Sequence, residues 1–306
     1  MLNNRTGKIV AVTAAITLVS WSLAFVFAAM AGESVRSALQ KAQEATDKSR
    51  LVEEQQDVEV AGLKMIEVES SSYDVDVLTS DSPQVRVEFR GRVRTEGPAL
   101  ELRRDGGKIR IGLRRDLDSG FRFGFFNFNT DGGGPDEGRT WGFKITVPKS
   151  YAKALIVKAA SGDVHLKDLR LADLEVRSAS GDIRAQTCEA GSSRLHAASG
   201  DVKLEHVRGD MEVEVASGDI SMANFHGKNL KVHTSSGDIN LTYPEAQKIS
   251  GSASSGDIRV QLKTGDKWKF NLKSLSGDVH NEWGQPLAGV KTLELRTSSG
   301  DISVVR

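Results

Sequence analysis

Between Ile66 and Val305, apolar and polar residues alternate with a period of two along most of the chain. This alternation predicts β-strands with one buried face and one solvated face. The tripeptide Ser-Gly-Asp interrupts the alternation eight times, and successive glycines lie 19, 19, 18, 19, 19, 21 and 23 residues apart. A repeated period of about 20 residues is typical of a stacked-coil protein.

The eight copies share a pattern around their glycine, which is numbered position 0 here. Position +2 is Val or Ile in every copy, positions −5 and +4 are mostly apolar, −3 is mostly small, and −4 and +3 are mostly polar. The predicted buried residues occupy odd positions before the glycine (−7, −5 and −3) and even positions after it, beginning at +2. Because the alternation changes phase at the Gly-Asp step, we predict that the chain bends there. Glycine suits a bend because it reaches positive φ without a Cβ clash, and Asp or Ser accepts hydrogen bonds from turn amides. The predicted structural turn ladder consists of Gly162, Asp163, Gly181, Asp182, Gly200, Asp201, Gly218, Asp219, Gly237, Asp238, Gly256, Asp257, Gly277, Asp278, Gly300 and Asp301.

The repeat predicts the fold class. One unit of about 19 residues cannot bury its own apolar face, whereas stacked units share one continuous core. We therefore predict an all-β fold, a β-solenoid of stacked coils similar to a parallel β-helix, with regular repeats over 149–306 and an irregular N-terminal part over 58–148. Within that part, Ile66–Val77 is a degenerate copy with Tyr73 in place of the glycine, and a hairpin turns at Asp105-Gly106-Gly107. Because the sequence stops directly after a perfect copy, we expect the edge of the last strand to be uncovered.

Stacking would place the aspartates in a row about 4.8 Å apart, where neighbouring charges repel by about 1 kcal/mol in water. Turn amides, serine hydroxyls and the basic side chains at −4 and +3 can compensate this repulsion. We predict that they do and that no cofactor is needed. The alternative is Ca²⁺ bound along the aspartates, although the glycine-rich nonapeptide of calcium-binding β-rolls is absent.

The N-terminal region predicts export. Residues 9–31 carry no charge and follow Arg5 and Lys8, as expected for a transmembrane anchor with a cytoplasmic N-terminus over 1–8. A cleaved signal peptide is the alternative, since Ala29-Met30-Ala31 fits a cleavage site, and the protein would then be secreted. Residues 32–57 are charged and alanine-rich, which indicates a short helical stalk or linker.

A segment over 116–140 breaks the repeat with closely spaced phenylalanines and a glycine-rich run. Long glycine-rich loops in compact domains are often functional or disordered. Two interpretations remain open: the phenylalanines cap the first coil, or they form an exposed apolar patch that docks a partner or the membrane surface. The candidate partner-binding loop contains Phe121, Phe123, Phe125, Phe126 and Phe128.

Composition narrows the function classes. Lys plus Arg equals Asp plus Glu at 41 each, which argues against nucleic-acid binding. The single cysteine, Cys188, can form no internal disulfide and is expected to pack in the interior. No nucleophile elbow, phosphate-binding loop or metal-ligand spacing is present. We therefore predict no catalytic, cofactor-binding or metal-binding residues and no enzymatic activity.

The tandem Ala-Ser-Gly-Asp-Val/Ile units, such as Ala160–Val164 and Ala179–Ile183, resemble the bacterial putative-adhesin, β-strand-repeat domain family of unknown function. The resemblance covers about 66–305. The family name implies surface adhesion. Together with the predicted anchor over 9–31, we expect a single-pass protein of the bacterial cell membrane whose exported domain, periplasmic or extracellular, serves adhesion, binding of an envelope protein or glycan, or self-assembly. One alternative is an envelope-stress sensing module that acts on a membrane partner. The other is a carbohydrate-active β-helix enzyme.

Overall fold

A computed structural model describes residues 50–94, 97–119, 142–284 and 291–306. The predicted anchor over 9–31, most of the predicted stalk and the five loop phenylalanines lie outside the described residues. Within the ranges that are described, no helix is long and apolar enough to span a membrane.

The described residues form strands and one short helix, numbered here in chain order. The N-terminal elements are β1 (Arg50–Glu59), β2 (Met65–Ser70), β3 (Asp74–Ser80), β4 (Gln84–Val93), β5 (Leu100–Asp105), β6 (Lys108–Leu113), α1 (Arg114–Ser119) and β7 (Gly142–Pro148). The regular repeats contain β8 (Ala154–Ala159), β9 (Val164–Lys167), β10 (Arg170–Ser178), β11 (Ile183–Gln186), β12 (Glu189–Ser199), β13 (Val202–Glu205), β14 (Arg208–Ser217), β15 (Ile220–Ala223), β16 (Asn229–Ser236), β17 (Ile239–Thr242), β18 (Lys248–Ser255) and β19 (Ile258–Gln261). The C-terminal strands are β20 (Trp268–Ser276), β21 (Val279–Asn281), β22 (Lys291–Ser299) and β23 (Ile302–Val305).

Two long sheets enclose the core. One has twelve strands in the order β1-β4-β7-β3-β9-β11-β13-β15-β17-β19-β23-β21, and the other has eleven in the order β20-β22-β18-β16-β14-β12-β10-β8-β2-β6-β5. Each regular coil gives a longer strand to the eleven-stranded sheet and a strand of three or four residues to the twelve-stranded sheet. Pairing is parallel throughout the regular coils, as between β10 and β12, and antiparallel for β4–β7 and β5–β6. The predicted all-β, solenoid-like repeat is confirmed.

The buried positions follow the predicted pattern. Val176 at −5 and Ile183 at +2 are fully buried, as are Val213 and Ile220 in a later coil. Polar neighbours such as Arg177 face solvent. The change of parity at the Gly-Asp step therefore corresponds to the corner where the chain passes from one sheet to the other.

The N-terminal end of the stack is closed by irregular elements. The degenerate copy forms β2 and β3. The pair β6 and β7 lies outside it in the stack although it follows β2 and β3 in sequence, and β5, β4 and β1 lie beyond that pair. The Glu54 carboxylate of β1 accepts the amides of Ala99 (3.0 Å) and Leu100 (2.8 Å), which links β1 to the start of β5. The prediction of a helical stalk is therefore wrong for residues 50–57. Val52 in this segment is buried, and β4 supplies the neighbouring strand.

At the C-terminal end, the order of the coils in space also differs from their order in the sequence. In space β22 lies between β18 and β20, and β23 lies between β19 and β21. The coil formed by β20 and β21 is therefore outermost, although β22 and β23 follow it in sequence. The expectation that the last strand has an uncovered edge is wrong, because β23 is paired on both sides.

Candidate functional site

The Ser-Gly-Asp corners form a continuous hydrogen-bonded column. Except for Asp278 in the outermost coil, each aspartate side chain accepts the main-chain amide of the aspartate in the next coil through Oδ1. For example, Asp163 accepts the Asp182 amide at 2.9 Å, and Asp219 accepts the Asp238 amide at 2.8 Å. The column begins at Asp74 of the degenerate coil, which accepts the Asp163 amide at 2.9 Å. The remaining amides in the column are those of Asp201, Asp219, Asp257, Asp301 and Asp278, at 2.8–2.9 Å.

Cations contribute little to this column. The Arg184 guanidinium contacts Oδ2 of Asp163 at 3.1 Å and Oδ2 of Asp182 at 2.7 Å. Over the described ranges, none of the later aspartates forms a salt bridge; these are Asp201, Asp219, Asp238, Asp257, Asp278 and Asp301. The main compensation is therefore the amide of the neighbouring coil. Of the flanking basic side chains, which the sequence also suggested as partners, only Arg184 contacts aspartates of the column in the described residues.

The glycines are required by the close approach of neighbouring coils. A Cβ on Gly181 would lie 2.1 Å from the Gly162 carbonyl oxygen, and a Cβ on Gly237 would lie 2.1 Å from that of Gly218. Six of the eight glycines also have φ between +126° and +143°, whereas Gly162 and Gly181 do not have positive φ. Positive φ, which the sequence suggested as the reason for glycine, therefore explains only part of the ladder. Close backbone contact applies to every copy.

The aspartates can be tested as hydrogen-bond acceptors. Asp238→Ala removes the acceptor of the Asp257 amide, and we expect the free energy of unfolding to fall by about 1–2 kcal/mol. Asp238→Asn keeps an Oδ1 acceptor and should change it by less than about 0.5 kcal/mol. Urea unfolding of the two variants measures the difference. Equal destabilisation by both would show that the charge, not the acceptor, matters.

The other candidate residues are dispersed. Cys188 is buried, and burial raises the pKa of its thiol, so it is a packed residue as predicted. Among the described residues, no cluster of three or more His, Cys, Asp or Glu side chains could hold a metal ion. The histidines make separate contacts, such as His165 with Asp76 at 2.9 Å and His226 with Glu245 at 3.1 Å.

One buried ionic cluster was missed by sequence reasoning. Glu67 of β2 is 3% exposed, and its carboxylate lies 2.5 Å from Lys108 Nζ and 2.6 Å from Lys158 Nζ. Glu67 lies at an outward position of β2, so alternation alone predicts a solvated side chain. α1 packs on this outer side of the sheet, where Leu117 would meet a Cβ on Gly112 at 3.1 Å. No pattern in the sequence predicts a short helix at this place.

The corner ladder, its spacing and the two-sheet architecture can be compared with known proteins. The family model Toastrack DUF4097 matches residues 63–305. The chain belongs to this family. The "putative adhesin" of Bacteroides fragilis is similar in structure, with a TM-score of 0.50 and 14% identity, over 84% of this chain and 97% of that one. This similarity supports the fold of the Toastrack domain.

Two other solved structures are more distant. A "putative adhesin" from Parabacteroides distasonis has a TM-score of 0.44 and 13% identity over 83% of this chain and 97% of that one. A "putative cell adhesion protein" from Clostridium sporogenes has a TM-score of 0.33 and 12% identity over 83% of this chain and 99% of that one. No curated protein matches the chain.

Proposed function

We propose that this Toastrack protein is a non-catalytic, membrane-anchored protein of the bacterial cell envelope that presents a rigid β-stack for binding. Residues 9–31 would anchor it, and the Toastrack domain would be exported. The similar structure from Bacteroides fragilis is named a "putative adhesin", which is consistent with a binding role for this chain. The apolar, uncharged composition of residues 9–31 supports the anchor.

The observation that carries this proposal is that the Gly, Ser and Asp of the repeated tripeptide all make contacts between neighbouring coils. The glycine permits backbone contact between coils, the serine carbonyl accepts the glycine amide of a neighbouring coil, as Ser255 does for Gly237, and the aspartate accepts the next amide. Catalytic groups occur as singular arrangements, whereas the close glycine contact recurs in every copy and the aspartate–amide bond in every copy but that of Asp278, and both hold the stack together. The repeat therefore supports a scaffold role.

Cell fractionation tests the anchor and the direction of export. In bacteria that express the full chain, we expect it in the membrane fraction, resistant to carbonate and released by detergent. Protease added outside the cytoplasmic membrane should digest the Toastrack domain. A soluble exported chain beginning after Ala31 would show cleavage of a signal peptide, and a domain protected with the cytoplasm would contradict the proposal.

A binding assay tests the scaffold role. Replacement of the five loop phenylalanines by serine in the full chain should reduce attachment of expressing cells to surfaces and to other cells. Replacement of the same residues by leucine keeps the apolar character and is the matched control. Attachment equal to that of cells without the protein, for the unchanged chain at normal surface levels, would contradict a role in adhesion.

A further inference from the structure

The two ends of the stack differ in the elements that cover the core. At the N-terminal end, β1 and the β5–β6 hairpin cover the core, and Val52 and Leu100 there are nearly fully buried. At the C-terminal end, β20 and β21 are the last strands of their sheets. Within the described residues, each of these two strands has a neighbour on one side only. Among the described residues, the outer edges of β20 and β21 are therefore unpaired.

The acceptor column also ends there. Oδ1 of every other aspartate in the column, from Asp74 to Asp301, accepts an amide from the next coil. Asp278 is the last member, and no described residue donates a hydrogen bond to its side chain. An added strand would meet an acceptor that is already positioned for a main-chain N–H.

The interior face of the outermost coil is partly open. Val279 at position +2 is 45% exposed, whereas Ile302 at the same position of the adjacent coil is fully buried. Phe270 and Leu272, at −7 and −5, are only partly buried. Apolar side chains at positions that are buried in every other coil are therefore available to a further strand.

Position −2 of the outermost coil also carries an exposed apolar side chain. This position is Ala or Ser in the other seven copies, and in the outermost coil it is Leu275, which is 69% exposed. No packing requirement of the stack explains a large apolar side chain here. An apolar contact with a partner would cover it.

The charges along the same edge indicate the kind of partner. Lys267, Lys269 and Lys273 are exposed, and none of the three forms an ion pair with any residue that the structure describes. Edge lysines disfavour pairing between two copies of the same edge, because like charges would be brought together. They favour a strand that carries carboxylates.

We propose that the edge formed by β20 and β21 binds an extended acidic segment of a partner protein by strand addition. The segment alternates apolar and acidic residues: its main chain pairs with β20, its apolar side chains cover Val279 and Leu272, and its carboxylates face Lys269 and Lys273. This inference rests on the proposed binding function and names its surface and partner class.

The test uses the full chain purified in detergent and a fluorescent nine-residue peptide of alternating glutamate and valine, which matches β20 in length. The control peptide has lysine in place of glutamate. Lys273→Glu is compared with Lys273→Arg and with Arg259→Glu, which makes the same charge change in an interior coil. Fluorescence anisotropy measures affinity, and amide hydrogen exchange locates the bound peptide.

We expect the acidic peptide to bind and the basic peptide not to bind. Lys273→Glu should weaken binding about tenfold, while Lys273→Arg and Arg259→Glu should change it less than about twofold. Amides of β20 should gain protection from exchange. The proposal is overturned if neither peptide binds, if both bind equally, or if the protected amides lie elsewhere.

Concentration-dependent protection of β20 without peptide would also overturn it, because a second copy would then occupy the edge. None of these outcomes tests the proposed function itself. Loss of cell attachment with the phenylalanine variants does not depend on the β20 edge, so either result can fail while the other holds.

Discussion

Replacing Gly237 with alanine in the middle of the stack is expected to prevent native stacking or to lower the free energy of unfolding by more than about 4 kcal/mol. The new Cβ would lie 2.1 Å from the Gly218 carbonyl oxygen, and φ at this residue is +136°. The neighbouring coil is held by parallel strands on both sides, so it cannot move away without breaking their hydrogen bonds. Chemical denaturation followed by circular dichroism measures the loss.

Two control variants separate the causes of this effect. Gly181→Ala meets the same close contact, 2.1 Å from the Gly162 oxygen, without positive φ. Gly265→Ala has φ +97° and nothing within 4 Å of its Cβ. We expect Gly181→Ala to be nearly as damaging as Gly237→Ala, and Gly265→Ala to lower stability by about 1–3 kcal/mol. If Gly265→Ala proved the most damaging of the three, backbone conformation would be the dominant requirement.

Glu67→Ala is expected to lower the free energy of unfolding by about 2 kcal/mol at neutral pH, because it removes the carboxylate that Lys108 and Lys158 share and leaves Lys158 only its 3.4 Å contact with Glu69. The matched control is Glu212→Ala, at the same position of a later coil. Glu212 is more exposed and pairs with Lys231 at 2.5 Å, so its loss should lower stability by less than about 1 kcal/mol.

The effect of Glu67 should depend on pH. Burial by itself raises the pKa of this carboxyl, but its contacts with Lys108 and Lys158 outweigh burial and leave the pKa below the ordinary value of 4.5. A lowered pKa stabilises the folded state above the unfolded pKa, and this contribution is lost as pH falls through the folded pKa. The stability difference between wild type and Glu67→Ala should therefore be complete above pH 4.5 and shrink on acidification. A difference that grew in acid would contradict the assigned ion pairs.

The regular coils could be predicted because each one repeats the same local rules. Val and Ile at +2 and the parity change at the Gly-Asp step identify strands, corners and the buried face, and they also identify Ile66–Val77 as a degenerate coil. For the partners of the aspartates, the sequence predicts turn amides, serine hydroxyls and the basic side chains at −4 and +3. The amide that an aspartate accepts belongs to the next coil, and a contact across about 19 residues leaves no separate mark in the sequence.

The order of coils at the two ends could not be predicted, because the copies present interchangeable edges. Any coil with apolar residues at −5 and +2 can stack on any other, so the pattern does not say which neighbours it has. The longer periods of 21 and 23 residues were the one available sign, since connections of that length allow a change of place. β1 was missed because its charged sequence, Arg50–Glu59, lacks clear alternation.

The exchanged order of the last coils has a consequence for how the protein is made. Synthesis proceeds from the N-terminus, so β20 and β21 leave the ribosome before β22 and β23, on which they finally rest. Until residues 291–305 emerge, the edge of β18 and β19 is free and offers the same apolar spacing to the earlier coil. The native place of β20 and β21 in the two sheets is therefore complete only after residues 291–305 have been made.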